Sequence, residues 1–272
     1  MKSLLRFLSP KPRKAFTLPA FTTSLSAQPY PRLKALHQGP KVIYMPEDQC
    51  WLVWGYAACQ QVLKDYKTFS NRLYEVFMVN TMISLDPPLH GEARKPFNAF
   101  FSLSSVEAHR TIYKPRVLSL NEKLLASPFE LYQDWALPMA IATTADFLGM
   151  IPDRTEDLIN RCHDALGVED LTLEVLKPYF TAGGMIDRTV LQNEALPEAV
   201  KIAHLNLFAL AGIHTTAQGL ANCAYMISQY PEAWQQVIDE PELLSDFIGE
   251  CMRMEPAIGS VQRVAVSDCL LA

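Results

Sequence analysis

The longest apolar stretch of the chain, LNLFALAGI from Leu205 to Ile213, limits the fold more than any other segment. A membrane-spanning helix needs about 20 consecutive apolar residues, and this stretch is half that. It reads as a buried helix, which other elements must cover. Helical signals dominate from Pro87 to Met254, broken by Pro and Gly. Strand signals lie outside that region. The segment KVIYMPEDQCWLVWG carries two apolar runs around Pro46-Glu47-Asp48, a hairpin pattern. In the following YAACQQVLKDYKTFS, Cys59, Val62, Leu63 and Tyr66 fall at helical spacing. Near the end, VQRVAVSDCLL returns to β-branched residues and reads as a strand. An unpaired strand edge is a liability, so this strand is expected to return to the N-terminal hairpin. The expected fold class is mainly α with a small β element.

Composition narrows the function. Hydrophobic residues make up 49% of the 272 and charged residues 19%, enough for a sizeable core. A net charge of −5 argues against a nucleic-acid binder, which carries a basic face. Only the opening MKSLLRFLSPKPRKAF is basic, and Arg6 and Pro10 interrupt it too early for a signal-peptide core. Residues 1–27 read as a poorly ordered tail, and 28–272 as a single domain without repeat or low-complexity linker. The six cysteines are scattered with no C-x-x-C pair, which fits reduced thiols in a cytoplasmic protein.

Chemistry-bearing patterns are few. In GECMRMEP, Glu250 and Arg253 stand three apart, on one helix face, and can form an ion pair. In HGEAR, His90 and Arg94 lie one turn apart and face the same way. Asp153, Glu156 and Asp157 in PDRTEDL, and Asp239, Glu240, Glu242 and Asp246 in IDEPELLSD, would suit a hard cation. Their spacing reads as solvated helix ends, so no metal is expected. There is no phosphate loop, zinc-spaced Cys/His set or G-x-S-x-G elbow.

Four segments, in this order, resemble the haem-thiolate monooxygenases of the cytochrome P-450 superfamily. SAQPYPRLKALHQGPKVIYMPEDQCWLVWGYAACQQVLKDYKTFSN resembles the opening helix, first hairpin and next helix of the soluble bacterial members. LDPPLHGEARKPFNAFFS (Leu85 to Ser102) resembles the D-P-P-x-H-x-x-x-R segment. LFALAGIHTTAQGLANCAYMISQYPEAW resembles the long central helix that passes over the haem. ECMRMEPAIGSVQRVAVSDCLLA resembles the E-x-x-R helix and the strand after it.

The resemblance implies a cytochrome P-450-like fold and a role for each motif. His90, Arg94 and Arg263 match the positions that hold the haem propionates, and arginine forks suit any carboxylate or phosphate; solvated remnants of ancestry are an equal reading. In the family's Ala/Gly-Gly-x-acid-Thr pattern the acid and alcohol relay protons; here Ala211, Gly212, Ile213, His214, Thr215 and Thr216 put His214 in place of the acid. A histidine can still move protons near neutrality, or it fills a polar gap in the packing. Leu207, Phe208, Ala211 and Gly212 would wall an apolar pocket, the small pair admitting a ligand close to the backbone or serving ordinary helix packing.

The departures are equally specific. The family's cysteine loop, which holds the haem iron, is not matched: SDCLLA around Cys269 lacks the Phe- and Gly-rich surroundings. The region between DFLGM and the central helix is short for the family. The expectation is therefore a truncated homologue with no cofactor, haem returning only if another chain supplies the cysteine. It would bind an apolar small molecule with an anionic group, such as a natural-product or isoprenoid intermediate, and carry out non-redox chemistry such as cyclisation or isomerisation with His214, Thr215 and Thr216. Two alternatives are a piece of a haem-dependent monooxygenase completed by another chain, and a non-catalytic binding or scaffold protein. An apolar face left open would invite a homodimer or a partner protein.

Overall fold

The computed structural model describes residues 30–46, 48–76, 78–124, 128–151, 154–155, 157–158 and 172–271. The expected tail, residues 1–27, lies outside them. The chain divides into two compact units, Met1–Leu73 with Arg263–Ala272, and Tyr74–Gln262.

The first unit holds the β structure. Helix α1 (Tyr30–His37) precedes an antiparallel hairpin of β1 (Val42–Met45) and β2 (Cys50–Val53), with Val42 opposite Val53 and Met45 opposite Cys50. The turn falls at the polar break the sequence marks, with Gln49 at φ 50°. Trp54 fixes the hairpin's base: its indole N–H donates to the Pro40 carbonyl at 2.8 Å while the Lys41 ammonium sits 3.8 Å above its ring. Gly55, at φ 93°, then starts α2 (Tyr56–Lys64). The late strand does return to this unit, but not to the hairpin. Short β4 (Val264–Ala265) pairs antiparallel with β3 (Phe69–Ser70), Phe69 opposite Ala265 and Ser70 opposite Val264. Phe69 and Ser70 are both buried, so their backbone groups require a partner.

The second unit is helical. Short α3 (Leu89–Arg94) is followed by the long α4 (Leu103–Leu124), and a π-helical turn (Leu131–Ala136) runs into α5 (Leu137–Leu148). Gly149 ends α5 in the left-handed region at φ 74°, where an added Cβ would stand 2.8 Å from the Gly184 Cα. Only glycine satisfies both constraints. After the one-turn α6 (Leu173–Leu176) comes the central helix α7 (Glu198–Gln229), 32 residues and about 48 Å long. Helices α8 (Pro231–Asp239) and α9 (Leu244–Met254) complete the unit.

The apolar stretch seen in the sequence is the buried half of α7. Leu205, Ala209 and Ile213 are each at most 1% exposed. Leu205 and Ala209 join Leu148, Leu176, Ile186 and Val190 in the core where α5 and α7 pack. Among the described residues, no helix is long and apolar enough to cross a membrane. The architecture is mainly α with a small β element.

Candidate functional site

Helix α7 is placed by its buried stripe, and the opposite face of its middle third borders a cavity of about 440 Å³ shared with α4 and α5. Phe208, Ala211, Gly212 and Thr216 line it from α7, Tyr113 from α4 and Phe147 from α5. The walls are aromatic and methyl-rich, with threonine and tyrosine hydroxyls the main polar groups. Such a surface binds apolar matter and orients it by hydrogen bonds.

The side chains singled out in the sequence divide around this cavity. Leu207 turns into the interior and is 9% exposed. Gly212 faces α5 closely: a Cβ there would stand 2.7 Å from Thr144 Cγ2, and the Thr144 hydroxyl donates to the Gly212 carbonyl at 3.0 Å. Its missing side chain thus admits a neighbouring helix. Ala211 is exposed, and its carbonyl accepts the Thr215 hydroxyl at 2.6 Å. His214 is half-buried and has a partner of its own. Thr216 is exposed at the cavity wall.

Glu250 and Arg253 pair on α9 in bidentate fashion through one guanidinium edge, Nε to Oε2 at 2.7 Å and Nη2 to Oε1 at 2.6 Å. The pairing lowers the carboxyl pKa and raises that of the guanidinium, yet both groups stand in solvent. His90, half-buried, and Arg94, exposed, lie on α3, while Arg263 enters β4 in the other unit. Asp153 and Glu156 lie outside the described residues; Asp157 accepts a hydrogen bond from Tyr179. No group of three or more His, Cys, Asp or Glu among the described residues could hold a metal ion.

Two buried polar groups escaped the sequence reading. His204, 3% exposed, stacks on Phe97 with ring centroids 5.8 Å apart and its Nδ1 meets the Val200 carbonyl at 2.8 Å. Burial pushes its pKa down, partly offset by that carbonyl. Asp146 reaches Arg116 at 2.9 Å through Oδ1, while its Oδ2 is buried with no hydrogen-bond partner among the described residues. Burial pushes its pKa up against the opposing pull of Arg116 and His109. The available signal was Asp146 as the one charge in LPMAIATTADFL.

No protein-family model matches the chain. Among curated proteins it is similar to Cytochrome P450 109 of Bacillus spizizenii, 24% identical over 88% of this chain and 66% of the relative. Similarity to the cytochrome P450 monooxygenase PikC of Streptomyces venezuelae is 24% over 89% of this chain and 66% of that protein. The chain spans about two thirds of the length of these relatives. Solved structures show the same fold. P450BioI, in complex with an acyl carrier protein ligated to hexadec-9Z-enoic acid, superposes with a TM-score of 0.79 at 19% identity, covering 92% of this chain and 75% of that one. The himastatin hydroxylase HmtN gives 0.73 at 20%, covering 86% and 67%.

These relatives correct one expectation. They are haem-thiolate cytochromes, so the absence of a cofactor inferred from the sequence is overturned, and haem is the group the ancestry implies. The described residues fit that group in part. His90 and Arg94 lie one turn apart on α3, and an imidazole N–H and a guanidinium are both donors suited to carboxylates. An iron ligand must be a thiolate, and burial opposes that form at three of the described thiols. The Cys50, Cys251 and Cys269 thiols are pushed up, first by burial, and the Cys59 thiol is directed at the Val53 carbonyl. With the helical architecture, the order of its motifs and its relatives in agreement, the chain has a cytochrome P450-like fold and is similar in sequence to members of that superfamily.

Proposed function

We propose that the chain forms the central-helix part of a haem-dependent monooxygenase acting on an apolar small molecule. When bound, haem with a thiolate ligand supplies oxygen activation. The observation that carries the reading is the state of α9. Its Glu250–Arg253 pair is fully formed but exposed, and Leu244, Ile248 and Met252, at successive four-residue steps, are exposed as well. Apolar residues repeated on one helix face mark a surface built for burial.

Within this reading the chain's own residues have separate tasks. His90 and Arg94 hold haem carboxylates. Ala211 keeps the face of α7 low where a flat group approaches. The Thr215 hydroxyl donates its hydrogen bond to the Ala211 carbonyl, so its oxygen is left as an acceptor, and His214 stands beside it as a proton holder. The aromatic cavity between α4, α5 and α7 receives apolar matter.

Haem titration followed by absorption tests the proposal, with the chain alone and co-expressed with the cysteine-bearing remainder of a relative such as Cytochrome P450 109. Saturable binding is expected in the co-expressed pair, with a thiolate-type Soret shift on reduction under carbon monoxide. His90→Ala and Arg94→Ala should each weaken haem binding. Absence of saturable haem binding in both preparations would overturn the reading.

A further inference from the structure

The cavity between α4, α5 and α7 has two unlike ends, which the helix directions keep apart. His109 on α4 meets Phe147 on α5 with ring centroids 5.1 Å apart, while Asn121 on α4 accepts the indole N–H of Trp135, in the π-helical turn that opens α5, at 2.9 Å. The two helices therefore run antiparallel. At the Phe147 end, the Phe101 ring contacts Phe147 with centroids 5.1 Å apart and Phe208 at 6.4 Å, only 19° from parallel. The second separation is at the long end of ring contact, and Phe101 is 52% exposed. Tyr113 lies one turn beyond His109 on α4, and Thr216 one turn beyond Gly212 on α7, both away from the rings. Phe208 and Thr216 are thus about 12 Å apart along the α7 axis. Between the ends the wall is low, because Gly212 has no side chain. The Thr144 and Thr143 hydroxyls donate to the Gly212 and Met139 carbonyls at 3.0 and 2.8 Å, so their protons are committed. The Tyr113 and Thr216 hydroxyls have no protein partner among the described residues. They are the donors this lining has to offer.

We infer that this cavity is a site for a flat aromatic compound carrying a hydroxyl at one end, the class of the naphthols. The ligand's rings lie against Phe101 and Phe208, and its hydroxyl exchanges hydrogen bonds with Tyr113 and Thr216. Aromatic faces and edges favour one another beyond the area they bury, so a flat ring system gains more here than an aliphatic chain of equal size. The oxygen adds direction, since hydroxyls of the wall are satisfied when the ligand enters ring first. The inference rests on the proposed function in using the same cavity and goes further in naming the ligand class; the binding itself needs no haem.

The test dialyses the full chain, without added haem, to equilibrium against 2-naphthol, naphthalene or 1-decanol. Saturable binding of 2-naphthol is expected, with naphthalene weaker by about two- to tenfold for the lost hydrogen bond. 1-Decanol should bind more weakly than 2-naphthol. Tyr113→Phe should bring 2-naphthol towards the affinity of naphthalene and leave naphthalene unchanged, a split that a folding defect does not produce. Phe101→Ala should weaken both naphthyl ligands by about three- to tenfold, with far-UV circular dichroism checking that the variant is folded. No saturable binding, equal affinities for 2-naphthol and naphthalene, tighter binding of 1-decanol, or naphthyl binding indifferent to Phe101→Ala would each overturn the inference. The monooxygenase reading is judged separately by the haem titration, so a failure of either leaves the other measurement standing.

Discussion

Asp146 shows how one side chain can set a pH response. It is the single charge on α5, its carboxylate is 9% exposed, and Arg116 satisfies only one of its oxygens. Because burial raises its pKa in the folded state, the native protein binds this proton more tightly than the unfolded chain. Its contribution to stability is full below the ordinary carboxylate pKa and is lost as pH rises through the raised value. Asp146→Asn should flatten that limb of a denaturant-midpoint profile and be no less stable at neutral pH. His204 works in the opposite sense. Its lowered pKa gives a contribution that is full above about pH 6.5 and fades as pH falls through the folded value. His204→Leu should reduce the loss of stability on mild acidification, read from the same profile.

At the scale of elements, the approach of α5 to α7 depends on the missing side chain at Gly212. Gly212→Ala places a Cβ 2.7 Å from Thr144 Cγ2, and overpacking of this kind costs about 1–3 kcal/mol. Adding Thr144→Ser removes the offending methyl while keeping the hydroxyl, so the double variant should recover most of the loss in equilibrium unfolding. The pair on α9 behaves differently. Glu250 and Arg253 are close in sequence and exposed at both ends, and exposed pairs contribute little. Glu250→Gln should hardly move the melting temperature of this chain alone; a large drop would mean that the pair is buried in solution.

For the whole molecule, the exposed stripe Leu244, Ile248 and Met252 separates a surface awaiting a partner from ordinary solvent-facing apolar residues. Ile248→Glu should leave the unfolding midpoint of the isolated chain within about 0.5 kcal/mol of the parent. In the co-expressed pair it should abolish recovery of the thiolate-type haem spectrum. Full recovery would mean that this face contributes nothing to completion.

What the sequence alone determined is what spacing and local chemistry dictate. The hairpin at Pro46–Asp48, the helical run to Met254, the buried stretch in α7 and the Glu250–Arg253 pair involve residues only a few positions apart. Their geometry follows from the period of the element that carries them. The tertiary structure decided the rest. The partner of β4 is Phe69–Ser70 rather than the hairpin, the space at Gly212 is filled by Thr144 from 68 residues away, and Asp146 finds Arg116 on α4. Leu207, expected at a pocket wall, is 9% exposed and is not among the residues lining the cavity. Contacts of this kind depend on which face of one element meets which face of another, and close packing between elements selects that register.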